Sequence, residues 1–159
     1  RAGNTGLLPS GAREAPLRRQ RASDSILHRL RQQVRPMAVV ELNKSNFEQT
    51  IKDSDFVVVD FWAPWCGPCR SFAPVYDKVS ADHDDIVFAK INTEQEQEIA
   101  AHFQIRSIPT LMIFREQIII FAQPGALPEG SFRQLLEKAK ELDMAEVRKQ
   151  VAEQQKENA

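Results

Sequence analysis

Only two cysteines occur among the 159 residues, and they stand two residues apart in Trp65-Cys66-Gly67-Pro68-Cys69. They follow directly on an apolar run, Phe56–Trp62, that reads as a buried strand, and they open a stretch with helical spacing. A strand that turns at once into a helix is thereby imposed on the middle of the chain. Two intervening residues is the shortest spacing at which one helical turn brings two thiols within bonding reach. The N–H groups at a helix N-terminus carry partial positive charge and favour the thiolate of the first cysteine. The thiolate is the form that attacks disulfides. With no third cysteine there is neither a disulfide framework nor an all-cysteine zinc site. The pair is redox-active, or it has no chemical role.

The length suits one domain with some extra chain, and 42% apolar residues suffice for a core. No apolar run approaches the roughly 20 residues of a membrane span. The net charge of -1 conceals an asymmetry. Residues 1–36 hold eight arginines, no lysine and two acids, a net of +6, whereas residues 37–159 hold 13 basic and 20 acidic residues, a net of -7. Residues 1–36 also show little apolar periodicity, so they are expected to be a disordered extension outside the folded unit. Their Arg-rich, acid-poor composition also fits a mitochondrial transit peptide, a segment upstream of a start at Met37, or a basic arm for nucleic acid. They lack the apolar core of a secretion signal, and export is not expected.

Val39–Leu42 reads as a first strand. Ser45 with Glu48, and Thr93 with Glu96, have the spacing of capping boxes that start two helices. Phe56–Trp62 and Ile86–Ile91 are near-continuous apolar runs, as expected of parallel strands covered on both faces. The helix from Cys66 should turn Phe72, Tyr76 and Val79 inward, with a kink at Pro74. The second capped helix should bury Ile99, Ala100 and Phe103. Thr110–Phe114 and Ile118–Phe121 suit a hairpin, and Leu135, Leu136, Ala139 and Leu142 mark a helix on the sheet. Asp143 can cap a further helix carrying Met144, Val147 and Val151 on one face. This order implies an α/β fold, a central mixed β-sheet flanked by helices on both faces.

Three segments carry a resemblance to a known family. Asp60–Cys69, Ile105–Thr110 (Ile-Arg-Ser-Ile-Pro-Thr) and Pro124–Leu127 (Pro-Gly-Ala-Leu) resemble, in order, the active-site stretch, the cis-proline loop and the third rim loop of thioredoxins. The similarity runs from about Val39 to about Leu142. It implies the thioredoxin fold and three parts: the extension 1–36, a thioredoxin domain at 37–142, and a C-terminal helical extension at 143–159. It departs from the family in the hairpin turn, where Glu116 and Gln117 replace the usual glycine, and at Ser107, where glycine is common.

The resemblance implies a thiol–disulfide oxidoreductase that reduces protein disulfides. Cys66, at the helix start and nearer solvent, would attack, and the more buried Cys69 would resolve the mixed disulfide. Asp60, inside an apolar strand, should have a raised pKa and suit proton transfer near neutral pH. In the family this aspartate lies beneath the cysteines, and Lys90 matches the lysine that modulates it. Gly67-Pro68 between the cysteines is the dipeptide of the family's reductants. Ile108-Pro109 should be cis, and Ile108 would pair with a client backbone like an added strand. Trp65, Gly67, Pro68, Ile108, Pro109, Gly125 and Ala126 would form an apolar substrate rim. The implied partners are disulfide-containing proteins and a flavin-dependent thioredoxin reductase, without nucleic acid or membrane.

His28, His83 and His102 lack metal-ligand spacing and read as surface residues, so neither metal nor cofactor is expected. The compartment expected is the cytoplasm, or the mitochondrion if residues 1–36 are a transit peptide. A different class remains open: a client-binding, chaperone-like module with secondary redox activity. The intact Cys66/Cys69 pair argues against it, because holding a client requires neither thiol.

Overall fold

The computed structural model describes residues 39–158; readings placed on residues 1–36, His28 included, lie outside the described residues. The elements run β1 (Val40–Glu41), α1 (Phe47–Asp53), β2 (Phe56–Trp62), α2 (Gly67–Ala81), β3 (Val87–Asn92), α3 (Gln97–His102), β4 (Thr110–Arg115), β5 (Ile118–Pro124), α4 (Glu129–Glu141) and α5 (Met144–Glu157). The sheet order is β1-β3-β2-β4-β5. β3 pairs in parallel with β1 and β2, while β4 runs antiparallel to β2 and β5. The mixed sheet expected from the sequence is present.

Strand alternation divides β2 between two cores. Phe56 and Val58 pack with Phe72, Tyr76 and Val79 of α2 and with Phe132, Leu136 and Ala139 of α4. Val57, Val59 and Phe61 pack on the other face with Ile51 of α1 and Ile99 of α3. Helices therefore cover both faces, and β2 reads as a continuous apolar run because every residue but Trp62 is buried. Phe132, which the helical pattern passed over, is fully buried and stacks on Tyr76 with ring centroids 5.7 Å apart. Leu142, assigned to that buried face, is 42% exposed. It lies just past the end of α4, where the chain turns extended.

Neither capping box forms. Asn46 is the N-cap of α1, and its Oδ1 accepts from Asn43 N–H at 2.8 Å. The Ser45 hydroxyl donates to Asn43 Oδ1 at 2.5 Å, and Glu48 pairs with Lys52. Before α3, the Thr93 hydroxyl donates to the Trp62 carbonyl at 3.2 Å, and Glu96 accepts from Lys44 N–H at 3.1 Å. Local Asx geometry and tertiary bonds took both pairs of side chains. In α3, Ile99 is buried while Ala100 and Phe103 are partly so.

The β4–β5 turn places Glu116 and Gln117 at φ 49° and 70°. These are the positive values a two-residue hairpin demands, reached here without glycine. Glu116 is also ion-paired with Arg148 of α5. Asp143 caps α5 as expected, its Oδ1 accepting from Ala145 N–H at 2.9 Å and Glu146 N–H at 3.3 Å. Met144 is buried, and Val147 and Val151 are partly buried.

Candidate active site

The end of β2 and the start of α2 position the two sulfurs. Cys66 is the N-cap of α2, with extended backbone (φ -77°, ψ 110°), and Pro68 follows within the first turn. A proline there has its φ already fixed and lacks only an N–H that would be unpaired. Cys66 Sγ accepts from Cys69 N–H at 3.2 Å, so a sulfur does the capping work usual for an oxygen. Cys66 and Cys69 are joined as a disulfide with Cα atoms 5.2 Å apart.

Solvent exposure does not separate the two sulfurs in the way the sequence leads one to expect: Cys66 is 4% exposed and Cys69 3%. Their surroundings do. Cys66 Sγ holds the helix end and lies 3.7 Å from the Ile108 carbonyl oxygen, whereas Cys69 sits within the first turn.

The Ile108-Pro109 bond is cis. The Pro109 carbonyl accepts from Gly125 N–H at 2.8 Å, which fastens the third loop to the cis-proline loop. Gly125 has φ +107°, a region that side chains with a Cβ rarely enter. Ile108 is half-buried against the cysteines, and Trp65, Pro68, Gly125 and Ala126 are exposed. Trp65 is 65% exposed, yet its indole N–H donates to Glu94 Oε1 at 2.5 Å. That anchor was missed in the sequence, where 29 residues separate the two.

On the face of β2 that meets α2, Asp60 is 6% exposed, and its Oδ1 has no hydrogen-bond partner. Burial raises its pKa to about 7, and the positive charge of Lys90 opposes the rise. Lys90 is half-buried, stands opposite Asp60 in the β2–β3 register, and places Nζ 5.0 Å from the centre of the Trp62 ring. Below lies a group the sequence reading treated only as apolar. The Tyr76 hydroxyl reaches the Val58 and Ala89 carbonyls at 2.9 and 2.6 Å and accepts from Ala89 N–H at 3.2 Å. Burial, then the Asp60 charge, holds this phenol neutral, its pKa well above the usual value. A tyrosine at a core position was itself the signal, since a buried hydroxyl requires a partner.

His83 is buried, contrary to the surface reading. Its Nδ1 lies 2.9 Å from the Val79 carbonyl at the end of α2, and its ring is 6.1 Å from Phe88. His102 is exposed. Among the described residues, no three His, Cys, Asp or Glu side chains are placed to hold a metal ion, and no helix is long and apolar enough to cross a membrane.

A cysteine pair that closes on itself at a helix end, facing a bare backbone carbonyl, can exchange two electrons with another disulfide. This is the chemistry of the thiol–disulfide oxidoreductases. The family model described as Thioredoxin matches residues 38–138. A protein of Streptomyces coelicolor named putative thioredoxin 2 is 57% identical over 118 residues, covering 74% of this chain and 88% of that one. Thioredoxin 1 of a Nostoc species is 45% identical over 103 residues, 64% of this chain and 96% of its own. Among solved structures, a single-residue mutant of thioredoxin from Halobacterium salinarum superposes with a TM-score of 0.63 at 28% identity, covering 68% of this chain and 96% of its own. The chain belongs to the thioredoxin family, and it is a protein-disulfide oxidoreductase whose redox pair is Cys66 and Cys69.

Proposed function

We propose that the chain works as a reductant of protein disulfides, with Cys66 as nucleophile, Cys69 as resolving thiol and Asp60 as proton acceptor. In the reduced protein, the Cys66 thiolate attacks one client sulfur, forms a mixed disulfide and expels the other client sulfur as thiolate. The Cys69 thiol then loses its proton to the Asp60 carboxylate and attacks Cys66 Sγ. The second client thiolate leaves, and the 66–69 disulfide seen here is formed. The client gains two electrons, and the pair loses two. The observation that carries this reading is the capping bond from Cys69 N–H to Cys66 Sγ at 3.2 Å, which stabilises negative charge on that sulfur. Asp60 supports it, since a carboxyl with a pKa of about 7 exchanges protons near neutral pH.

Ile108 offers backbone to an extended client, and Trp65, Gly67, Pro68, Pro109, Gly125 and Ala126 complete a rim poor in side-chain hydrogen-bonding groups. Lys90 limits how far the Asp60 pKa rises. A flavin-dependent thioredoxin reductase would return two electrons and two protons, making the protein an electron carrier of cellular redox balance. The proposed compartment is the cytoplasm, or the mitochondrion if residues 1–36 are a transit peptide. The boundaries 1–36, 37–142 and 143–159 remain the proposed division of the chain. Insulin reduction tests the function: wild-type protein should precipitate the reduced chains, and Cys66→Ser should not. Equal rates for the two would remove the enzymatic reading.

A further inference from the structure

Five arginines lie among the described residues, and three have acceptors. Arg115 donates to the Ala139 and Lys140 carbonyls, Arg133 pairs with Asp82 and Glu129, and Arg148 pairs with Glu116. Arg70 and Arg106 are exposed and, among the described residues, have no acceptor. Acidic side chains are not scarce, since the segment 37–159 holds 20 against 13 basic ones.

Both unpaired arginines flank the disulfide. Arg70 is four residues after Cys66, so the two share one face of the helix end, and Arg70 N–H bonds the Cys66 carbonyl at 3.1 Å. Arg106 lies two residues before Ile108, whose carbonyl is 3.7 Å from Cys66 Sγ. One cation therefore comes from each of the two segments that meet at the nucleophile. Lys90 is not a third, being half-buried beside the Trp62 ring.

We propose that Arg70 and Arg106 form a cationic recognition surface that selects client disulfides flanked by acidic residues. This rests on the reading that Cys66 attacks the client. A guanidinium is charged at every relevant pH, and its fork matches a carboxylate. At an exposed site its main effect is on encounter, so selectivity should fall as salt rises. The surface turns a rim of broad tolerance into one with a charge preference.

The test uses reduced protein and three disulfide-linked peptides of one sequence, the cysteine flanked by Glu, Gln or Lys. Second-order rates of peptide reduction are measured at about 0.02 M and about 0.5 M salt, below and above the range where surface charge is well screened. At low salt the Glu peptide should react about tenfold faster than the Lys peptide, a modest value for electrostatic steering. The ratio should fall toward one at high salt and in Arg70→Gln/Arg106→Gln, and persist in Arg70→Lys/Arg106→Lys. Equal rates for the three peptides with wild-type protein would overturn the inference, as would a preference that survives the double Gln variant. In both cases disulfide reduction itself would stand. Failure to reduce any of the peptides would overturn the functional reading, and the inference with it.

Discussion

Asp60 Oδ1 is buried without a donor, so ionising this carboxyl opposes the fold. Its folded pKa of about 7 lies above the ordinary value of 3.8, the reverse of the usual carboxylate case. The native state thus holds its proton more tightly than the unfolded chain. The resulting loss of stability begins above the unfolded pKa and is complete above about pH 7. Asp60→Asn keeps the shape and removes the charge. It should be more stable than wild type at pH about 8, by an amount on the order of a few kcal/mol, with the gain vanishing near pH about 4. Urea denaturation at the two pH values measures this, and a variant no more stable at the higher pH would show Asp60 to be solvated or paired. The same variant should slow the resolving step. Tyr76→Phe deletes the hydroxyl that meets two carbonyls and one N–H between β2 and β3. It should cost about 1 kcal/mol, the usual net value of such a bond. No measurable loss in a thermal melt would mean that the strand ladder satisfies those groups alone.

At the scale of elements, the strands were the most legible part of the chain. Phe56–Trp62 was readable to the residue, because a strand covered on both faces is apolar almost throughout, with Asp60 as its one polar interruption. Helix starts were less legible. Ser45 and Thr93 have the right spacing for caps, but Asn43 in one case and the Trp62 carbonyl in the other offered competing partners. Such competition depends on what the rest of the fold brings near. For the same reason Glu94 beneath Trp65, and the burial of His83, could not be read from local pattern. Phe132 was passed over because the helical stripe was placed on Leu135, Leu136 and Ala139, while the residue that joins α4 to α2 lies a turn earlier. Phe132→Ala should destabilise by about 3–5 kcal/mol, the range for removing a fully buried phenylalanine. A denaturation midpoint unchanged from wild type would contradict its place in the core.

For the whole molecule, the residues proposed for the site, Cys66, Cys69, Asp60, Ile108, Pro109 and Gly125, stand out in the sequence because each lies in a short segment with its own physical signature. The burial of Asp60 was legible too, but the near-equal depth of the two cysteines was not. Both cysteines are nearly covered, so what sets the two sulfurs apart is the helix cap and the facing carbonyl at Cys66, on which the proposed roles rest. Deleting residues 1–36 should leave the melting temperature and insulin reduction nearly unchanged, since that segment has neither core pattern nor matching charge. A fall of more than a few degrees would show that it packs on the domain. Trapping tests the proposed division of labour between the sulfurs most directly. Reduced Cys69→Ser protein, mixed with a disulfide client, should accumulate as a stable mixed disulfide through Cys66, seen by mass spectrometry and released by added thiol. Reduced Cys66→Ser protein should trap little or none. Equal trapping by the two variants, or release of the client from Cys69→Ser at the wild-type rate, would contradict the assignment.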